Sequence, residues 1–281
     1  EASRTISDAE LSTVASSLSA SLVNILCTVR LKTGKRIVSG TGVIVSPRGM
    51  ILTNAHLGQF FLFKDNKAVS CQIRMGNPAV ATYNAEIAYL SPAWLEINPD
   101  MLEKKSALGT GEHDVAMLAI TDGLGQYVKP SVFPYVPIGD SIPKKKERLA
   151  LVSYAAQYLT NDQINTALYR TVALGAAREV YTFSSSTPDI MTFAGSTIAQ
   201  HGSSGGGVVN RKGQLVGMIV TSKTNGDFAS RIVGAITAPY IRREFEQQTG
   251  ISIDAYLTAP TSEAIAGFEK KAESLRSMIA R

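Results

Sequence analysis

The stretch GTGVIVSPRGMILTNAH, residues 40–56, holds two short aliphatic runs separated by a Ser-Pro-Arg-Gly break. Short runs rich in Val and Ile and bounded by Gly, Pro, Ser or Asn are typical of strands. Similar runs recur through most of the chain, at residues 22–30, 69–75, 84–90, 115–120, 148–154, 167–173, 214–221 and 231–236. Repeated strands with little helix between them favour antiparallel sheets, closed into barrels or packed as sandwiches, over βαβ units.

Helices are predicted only near the two ends. Residues 7–19 open with Ser-Asp-Ala-Glu, which fits a capping box, and helical spacing returns at residues 239–249 and 261–280. One face of the last segment carries Ile265, Phe268, Ala272, Leu275 and Ile279. We expect this face to pack on the same domain, and a partner or self-association surface is the alternative.

Composition and charge narrow the function classes. The chain has 281 residues, of which 44% are hydrophobic and 18% charged, so it can bury a core as one large β domain or two small ones. No apolar run approaches the roughly 18 residues of a membrane-spanning helix. The formal net charge is +5, but apart from Lys144, Lys145 and Lys146 the basic residues are scattered and not interleaved with aromatics. A solvated basic face is therefore favoured over a nucleic-acid partner.

The numbers and spacing of cysteines and histidines indicate whether disulfide bridges or metal-binding sites are expected. Cys27 and Cys71 lack metal-type spacing and are too few for a disulfide framework, so they are either buried thiols or one bridge. Thiols are the favoured interpretation. With only three histidines, a histidine-rich metal site is not expected, and no metal or cofactor is predicted.

Three short stretches carry the residue types of nucleophilic catalysis. His56 follows an apolar run in ILTNAH, Asp114 opens another in HDVAML, and GSSGG places serines in a glycine loop. Each is common alone: such a histidine is usually a surface or core residue, such an aspartate a turn cap, and Ser-Gly runs are ordinary loops. Together they supply what a weakly nucleophilic hydroxyl needs, namely a base and a group that orients the base.

The combination, in the order His, Asp, Ser, resembles the trypsin-like serine peptidases of the chymotrypsin fold. The motifs TNAH, HDVAML and GSSGG match the three catalytic blocks of that family, and the resemblance spans about residues 40–236. It is closest to the HtrA-like branch, on the stretches SASLVNI, GTGVIVSPRGMILTNAH, GQLVGMI and IVGAITAPYI.

The resemblance implies a mostly β fold of two packed six-stranded antiparallel β-barrels with N- and C-terminal helices. The first barrel is expected at about 22–122 and the second at about 132–236, within a protease domain at 1–245. Residues 246–281 are expected to form a C-terminal helical extension. Only 36 residues follow Phe245, too few for the PDZ domain that HtrA-like chains commonly carry.

The resemblance also assigns roles to site residues. His56 is the expected general base, Asp114 its orienting group and Ser204 the nucleophile. The Gly-x-Ser-Gly-Gly frame places its first glycine at Gly202, which excludes Ser203 as the nucleophile. The backbone N–H groups of Gly202 and Ser204 are the expected oxyanion hole. Peptide hydrolysis would proceed through an acyl-enzyme on a protein or peptide substrate.

Specificity is predicted from the stretches that line the primary pocket in the family. These correspond here to Ile198, His201, Val220, Thr221 and Ser222. No acidic residue lies between Phe193 and Ser204, so we expect small or medium apolar side chains on the acyl side of the cut. For His201, an exposed loop position is the alternative to substrate contact.

The resemblance also bears on how the protein is activated and where it is located. The stretch GKRIVSGTG, residues 34–42, looks like a zymogen cleavage site, but Ser203 stands where the pairing aspartate would precede the nucleophile. Activation by that cut is not expected. A catalytically latent or silent member that acts as a binding scaffold is the alternative function. An extracytoplasmic location is expected by resemblance.

Overall fold

The first half of the chain folds into a closed antiparallel barrel. The computed structural model describes residues 7–32, 34–63, 68–100, 110–183, 187–194, 196–223 and 231–279. The barrel strands are β1 (Leu22–Leu31), β2 (Gly34–Ile44), β3 (Met50–Thr53), β4 (Val69–Gly76), β5 (Ala79–Leu90) and β6 (Ala116–Gly123). They pair in the order β1-β2-β3-β6-β5-β4.

The second half forms a strongly curled seven-stranded sheet. Its strands are β7 (Arg148–Ser153), β8 (Thr171–Ala176), β9 (Val180–Tyr181), β10 (Ile190–Ala194), β11 (Gly207–Val209), β12 (Leu215–Lys223) and β13 (Ile232–Thr237). They pair in the order β8-β7-β11-β12-β13-β10-β9. The mostly β fold of two packed units with terminal helices is thus confirmed. The second unit is a half-barrel rather than a closed six-stranded barrel: β8 and β9 are the two edge strands, and no ladder joins them in the described residues.

Seven helices lie within the described ranges. They are α1 (Asp8–Ser17), α2 (Ala55–Gly58), α3 (Pro92–Ile97), α4 (Asn161–Thr166), α5 (Ala238–Thr249), α6 (Ile253–Thr258) and α7 (Thr261–Ile279). The capping box of α1 is confirmed: the Glu10 N–H donates to Ser7 Oγ at 3.2 Å, and the Ser7 N–H donates to Glu10 Oε2 at 2.9 Å. The expectation of helices only at the ends is wrong for α2, α3 and α4, which are too short to show a helical period. Residues 101–109, in the connection between β5 and β6, lie outside the part of the chain that the structure describes.

Alternation along the strands builds three apolar clusters among the described residues: one inside the first barrel, one in the second sheet and one between the two units. On β1, Val23 and Ile25 point into the first barrel, whereas Leu22 joins the apolar layer between the two units. This layer also contains Leu52 of β3 and Met218 of β12. Because each fully buried aliphatic side chain contributes about 1.5–3 kcal/mol, the layer holds β2 and β3 firmly against β11 and β12.

The C-terminal helix α7 packs on the first barrel. Phe268, Ala272 and Leu275 are buried in the barrel's core cluster, and the Arg276 Nε–H donates to Leu62 O at 2.8 Å. The apolar face of this helix is therefore used within the chain, as the first of the two alternatives expected. Self-association and the domain division at residue 245 stay predictions. No helix in the described ranges is both long and apolar enough to cross a bilayer.

The two cysteines form a disulfide, so the interpretation that favoured thiols is wrong. Cys27 on β1 and Cys71 on β4 are directly opposite in the antiparallel register, with Cα atoms 4.1 Å apart. Two cysteines that face each other across neighbouring strands are close enough to bridge. Their separation of 44 residues in sequence carried no information about this register.

Candidate active site

The pairing of β3 with β6 brings His56 and Asp114 together. In that ladder Thr53 lies opposite Ala116, so the chain leaving β3 runs beside the chain entering β6. Asn54 then caps the short helix α2, in which His56 is the second residue. The Asn54 Nδ2–H donates to Asp114 O at 3.1 Å, which ties the two segments to each other.

The Asp114 carboxylate contacts His56 through both of its oxygens. Oδ2 lies 2.8 Å from His56 Nδ1, and Oδ1 accepts the His56 backbone N–H at 2.9 Å. Asp114 is only 5% exposed, which leaves little room for competing water. A carboxylate at Nδ1 favours the tautomer that carries its proton there, so Nε2 is left able to accept a proton.

A second histidine–carboxylate pair, which sequence reasoning missed, joins His113, the residue before Asp114, to Glu244 of α5. His113 has a left-handed φ of +58°, and its Nδ1 lies 2.6 Å from Glu244 Oε1. Glu244 is 3% exposed, and the His113 N–H donates to the Tyr240 hydroxyl at 2.9 Å. Burial raises the pKa of Tyr240, so this hydroxyl stays protonated. The only available signal was the helical spacing that puts Glu244 on the same face of α5 as Tyr240.

The glycine loop packs against the ends of β2 and β3. At Gly205, whose φ is +80°, a Cβ atom would lie 1.9 Å from Thr41 O and 2.6 Å from Thr53 Oγ1. Only glycine allows so close an approach. Ser204 is therefore placed beside the strand end that leads to His56, and the structure brings all three predicted residues to one region between the two units.

Backbone N–H groups in this loop are left without acceptors. In the described part of the chain, neither the Gly202 N–H nor the Ser204 N–H donates to another protein atom. The carbonyls of the same two peptides are occupied: His201 O accepts from Ala156 N at 2.8 Å, and Ser203 O accepts from Gly206 N at 2.9 Å. Since N–H and C=O point in opposite directions in a trans peptide, both N–H groups point away from these partners.

The residues predicted to bind substrate have different surroundings. Ile198 is fully buried in the core cluster of the second sheet, and His201 is exposed. Val220 packs against Gly111, where a Cβ atom would lie 2.5 Å from its Cγ2 atom. Thr221 and Ser222 pair with β13 through their backbones, and their side chains lie outside what the structure describes.

A buried arginine, also missed from the sequence, lies beside the predicted specificity stretch. Arg231 is 5% exposed, and its Nη1–H groups donate to Ala199 O at 3.1 Å and to Gln157 Oε1 at 3.4 Å. Its Nη2 donates to the Tyr158 hydroxyl, and the guanidinium lies 5.5 Å from the Tyr158 ring centroid. Arg231 lies immediately before β13, 27 residues after Ser204, so the residues around the nucleophile in sequence gave no sign of it.

Comparisons with known proteins agree with this fold. A family model described as "Trypsin-like peptidase domain" matches residues 40–218, a range that includes His56, Asp114 and Ser204. The active form of the Rv3671c protease from M. tuberculosis superposes with a TM-score of 0.54 at 16% identity, covering 87% of this chain and 88% of that one. The inactive form of the Rv3671c protease gives a TM-score of 0.53 at 16% identity, covering 87% and 98%. At such identity the likeness concerns the fold alone. A search of curated proteins found no match. The family match covers more than half of the sequence, and the chain belongs to the trypsin-like peptidase domain family.

Proposed function

We propose that this protein is a serine endopeptidase that cleaves peptide bonds through an acyl-enzyme on Ser204. The observation that carries the proposal is the His56–Asp114 pair, with Nδ1 and Oδ2 2.8 Å apart, beside a glycine loop that contains a serine. A base held by a buried carboxylate next to a loop hydroxyl is the arrangement that activates a serine. The alternative, a silent or latent scaffold, makes no use of this pair.

In the proposed reaction His56 moves the proton in both directions. Ser204 Oγ attacks the carbonyl carbon of the scissile peptide while its proton passes to His56 Nε2. The imidazolium, stabilised by Asp114, then gives that proton to the leaving amine as the C–N bond breaks. A water molecule attacks the acyl-enzyme with His56 again as base, which releases the second product and restores the hydroxyl.

Charge that develops on the carbonyl oxygen would be met by the N–H groups of Gly202 and Ser204. Preorganised backbone donors of this kind contribute about 10²–10³ in turnover each. Among the described residues no hydrogen bond joins the imidazole to the Ser204 hydroxyl, so these groups would close to about 2.6–3.2 Å once substrate binds.

Ser204 is a better candidate for the nucleophile than Ser203. Ser203 is 1% exposed, and its Oγ accepts a hydrogen bond from Ser153 Oγ at 3.0 Å. A buried hydroxyl engaged with a second hydroxyl can neither reach a substrate nor pair with a freed N-terminal ammonium as a carboxylate would. This supports both the choice of Ser204 and a route to activity without zymogen cleavage at residues 34–42.

We further propose that the enzyme prefers small or medium apolar side chains on the acyl side of the cut. The absence of an acidic residue between Phe193 and Ser204 supports this, because nothing in that stretch would neutralise the charge of a Lys or Arg side chain. Profiling with a peptide library tests the preference, and faster cleavage after arginine than after valine or alanine would overturn it.

An extracytoplasmic location and membership of the HtrA-like branch complete the proposal. The Cys27–Cys71 disulfide supports the location, since such bonds persist in oxidising compartments. The stretch GTGVIVSPRGMILTNAH supports the branch.

Labelling with a fluorophosphonate, followed by mass spectrometry to locate the adduct, tests the proposed activity. We expect an adduct on Ser204 that is absent in Ser204→Ala and retained in Ser203→Ala. Asp114→Asn should lower turnover by about 10⁴, because it removes the acceptor that fixes the imidazole. A folded protein that does not label would favour the silent or latent scaffold and overturn the proposal.

A further inference from the structure

Thr41 of β2 is a fully buried threonine that touches the Ser204 loop from the opposite barrel. Its Oγ1–H donates to Gly202 O at 2.7 Å, and the same oxygen accepts the Tyr154 N–H at 3.0 Å. Its backbone N–H donates to Ser204 O at 2.8 Å. One residue of the first barrel therefore holds the carbonyls of both residues whose N–H groups would form the oxyanion hole.

Every peptide plane from His201 to Gly205 is fixed by an acceptor bond at its carbonyl. The Ala156 N–H holds His201 O, and the Gly206 N–H holds Ser203 O. Thr41 supplies the other two bonds, through its hydroxyl to Gly202 O and through its N–H to Ser204 O. The hydroxyl bond is the only side-chain bond of these four. A substitution can therefore remove it without altering the chain of the loop itself.

The Thr41 hydroxyl supports the position of the Gly202 N–H from both sides, through Gly202 O and through the Tyr154 segment that leads to Ala156. Gly202 has a φ of +92° and no Cβ, so the peptide planes on either side of it rotate with little steric resistance. The bond from Thr41 Oγ1 fixes the plane on its C-terminal side, and the bond from Ala156 fixes the plane on its N-terminal side. Without the hydroxyl, the plane on the C-terminal side keeps only the bond from the Ser203 N–H to Gln200 O at 3.3 Å among the described residues, and Tyr154, two residues before Ala156, loses the acceptor of its N–H. The segment that anchors the Gly202 N–H plane can then shift, which turns this N–H away from the position of a developing oxyanion.

We propose that the Thr41 hydroxyl is a positioning group that keeps the oxyanion loop open for catalysis by tying Gly202 to the first barrel and to Tyr154. The inference rests on the proposed peptidase function. It predicts that the hydroxyl acts on the chemical step rather than on binding. A threonine or serine at this position is required, whereas an isosteric valine is not sufficient.

Thr82 provides a matched control in the same barrel. It is also buried, its Oγ1–H donates to Val80 O at 2.7 Å, and the same oxygen accepts the Met75 N–H at 3.3 Å. Thr82→Val therefore removes a buried hydroxyl with the same one-donor, one-acceptor pattern as Thr41→Val. Neither partner of Thr82 belongs to the loop of Ser204.

The test is the saturation kinetics of fluorophosphonate labelling at Ser204, which separates the maximal rate from probe affinity. Thr41→Val should lower the maximal rate by about tenfold to a hundredfold with the affinity unchanged. Thr41→Ser should restore the rate to within about threefold of wild type, and Thr82→Val should label at the wild-type rate. Urea unfolding of each variant gives its folded fraction.

The outcomes separate this inference from the proposed function. Wild-type protein that does not label at Ser204 refutes the function. Wild-type protein that labels, together with Thr41→Val that labels equally fast, refutes the inference alone. An equal loss in Thr41→Val and Thr82→Val also refutes it, since the hydroxyl would then serve only the fold. Should Thr41→Val not fold, Thr41→Ala is measured, and failure of both to fold overturns the inference.

Discussion

Reduction of the Cys27–Cys71 disulfide should lower the free energy of unfolding by about 4 kcal/mol. The bridge closes a loop of 44 residues, and it stabilises the protein mainly because it restricts the unfolded chain. Loop-closure entropy for that length gives the figure of about 4 kcal/mol at 25 °C. For a chain of 281 residues the melting temperature should fall by roughly 7 °C.

The single tryptophan provides the assay. Trp94 is buried in the same core cluster as Cys27, so its fluorescence reports on the first barrel. Urea unfolding is followed with and without a phosphine reductant, and thiol alkylation confirms the redox state. Fluorophosphonate labelling at 25 °C should not change on reduction, because the bridge joins β1 to β4, away from the Ser204 loop.

A Cys27→Ala, Cys71→Ala double variant is the control for the reductant itself. It should unfold identically with and without reductant, near the midpoint of reduced wild type. A difference below about 1 kcal/mol between oxidised and reduced wild type would refute the reasoning. So would two alkylatable thiols in protein purified from an oxidising compartment.

Three further tests, which use four substitutions, examine the site and its supports. Gly205→Ala should abolish labelling at Ser204, because its Cβ would enter the backbone of β2, whereas Gly213→Ala, with a φ of +72° and no atom within 4 Å, should keep it. His113→Asn should cost about 1–3 kcal/mol in urea unfolding, since the buried Glu244 carboxylate loses the imidazole and keeps, among the described residues, only the Gln248 Nε2–H as a side-chain partner; an unchanged midpoint would contradict the pairing. Burial raises the pKa of Tyr154 from 10.0 to about 12, so stability should fall as the pH rises through this interval, because the unfolded chain releases the proton first. Tyr154→Phe should reduce the number of protons released on unfolding in this interval by about one, so its stability should fall less steeply with pH. An unchanged pH dependence would contradict the raised pKa.

Short-range patterns in the sequence predicted much of the fold. Alternating β-branched runs gave the long strands, and Ser7 with Glu10 marked the start of α1. The pattern did not reveal β9, β10 and β11, which have two to five residues. It also did not show that the second sheet stays open instead of closing into a barrel. Elements of this length carry too few residues to show a period, and only pairing with neighbours defines them.

The sequence by itself determined the residue types and chain order of the candidate site, because the motifs around His56, Asp114 and Ser204 are local. Tertiary structure alone decided what those residues contact. The Cys27–Cys71 bridge and the bond from Thr41 to Gly202 join positions 44 and 161 residues apart. Such contacts depend on strand register and on how the two sheets pack, and neither is encoded in the spacing of residues along the chain.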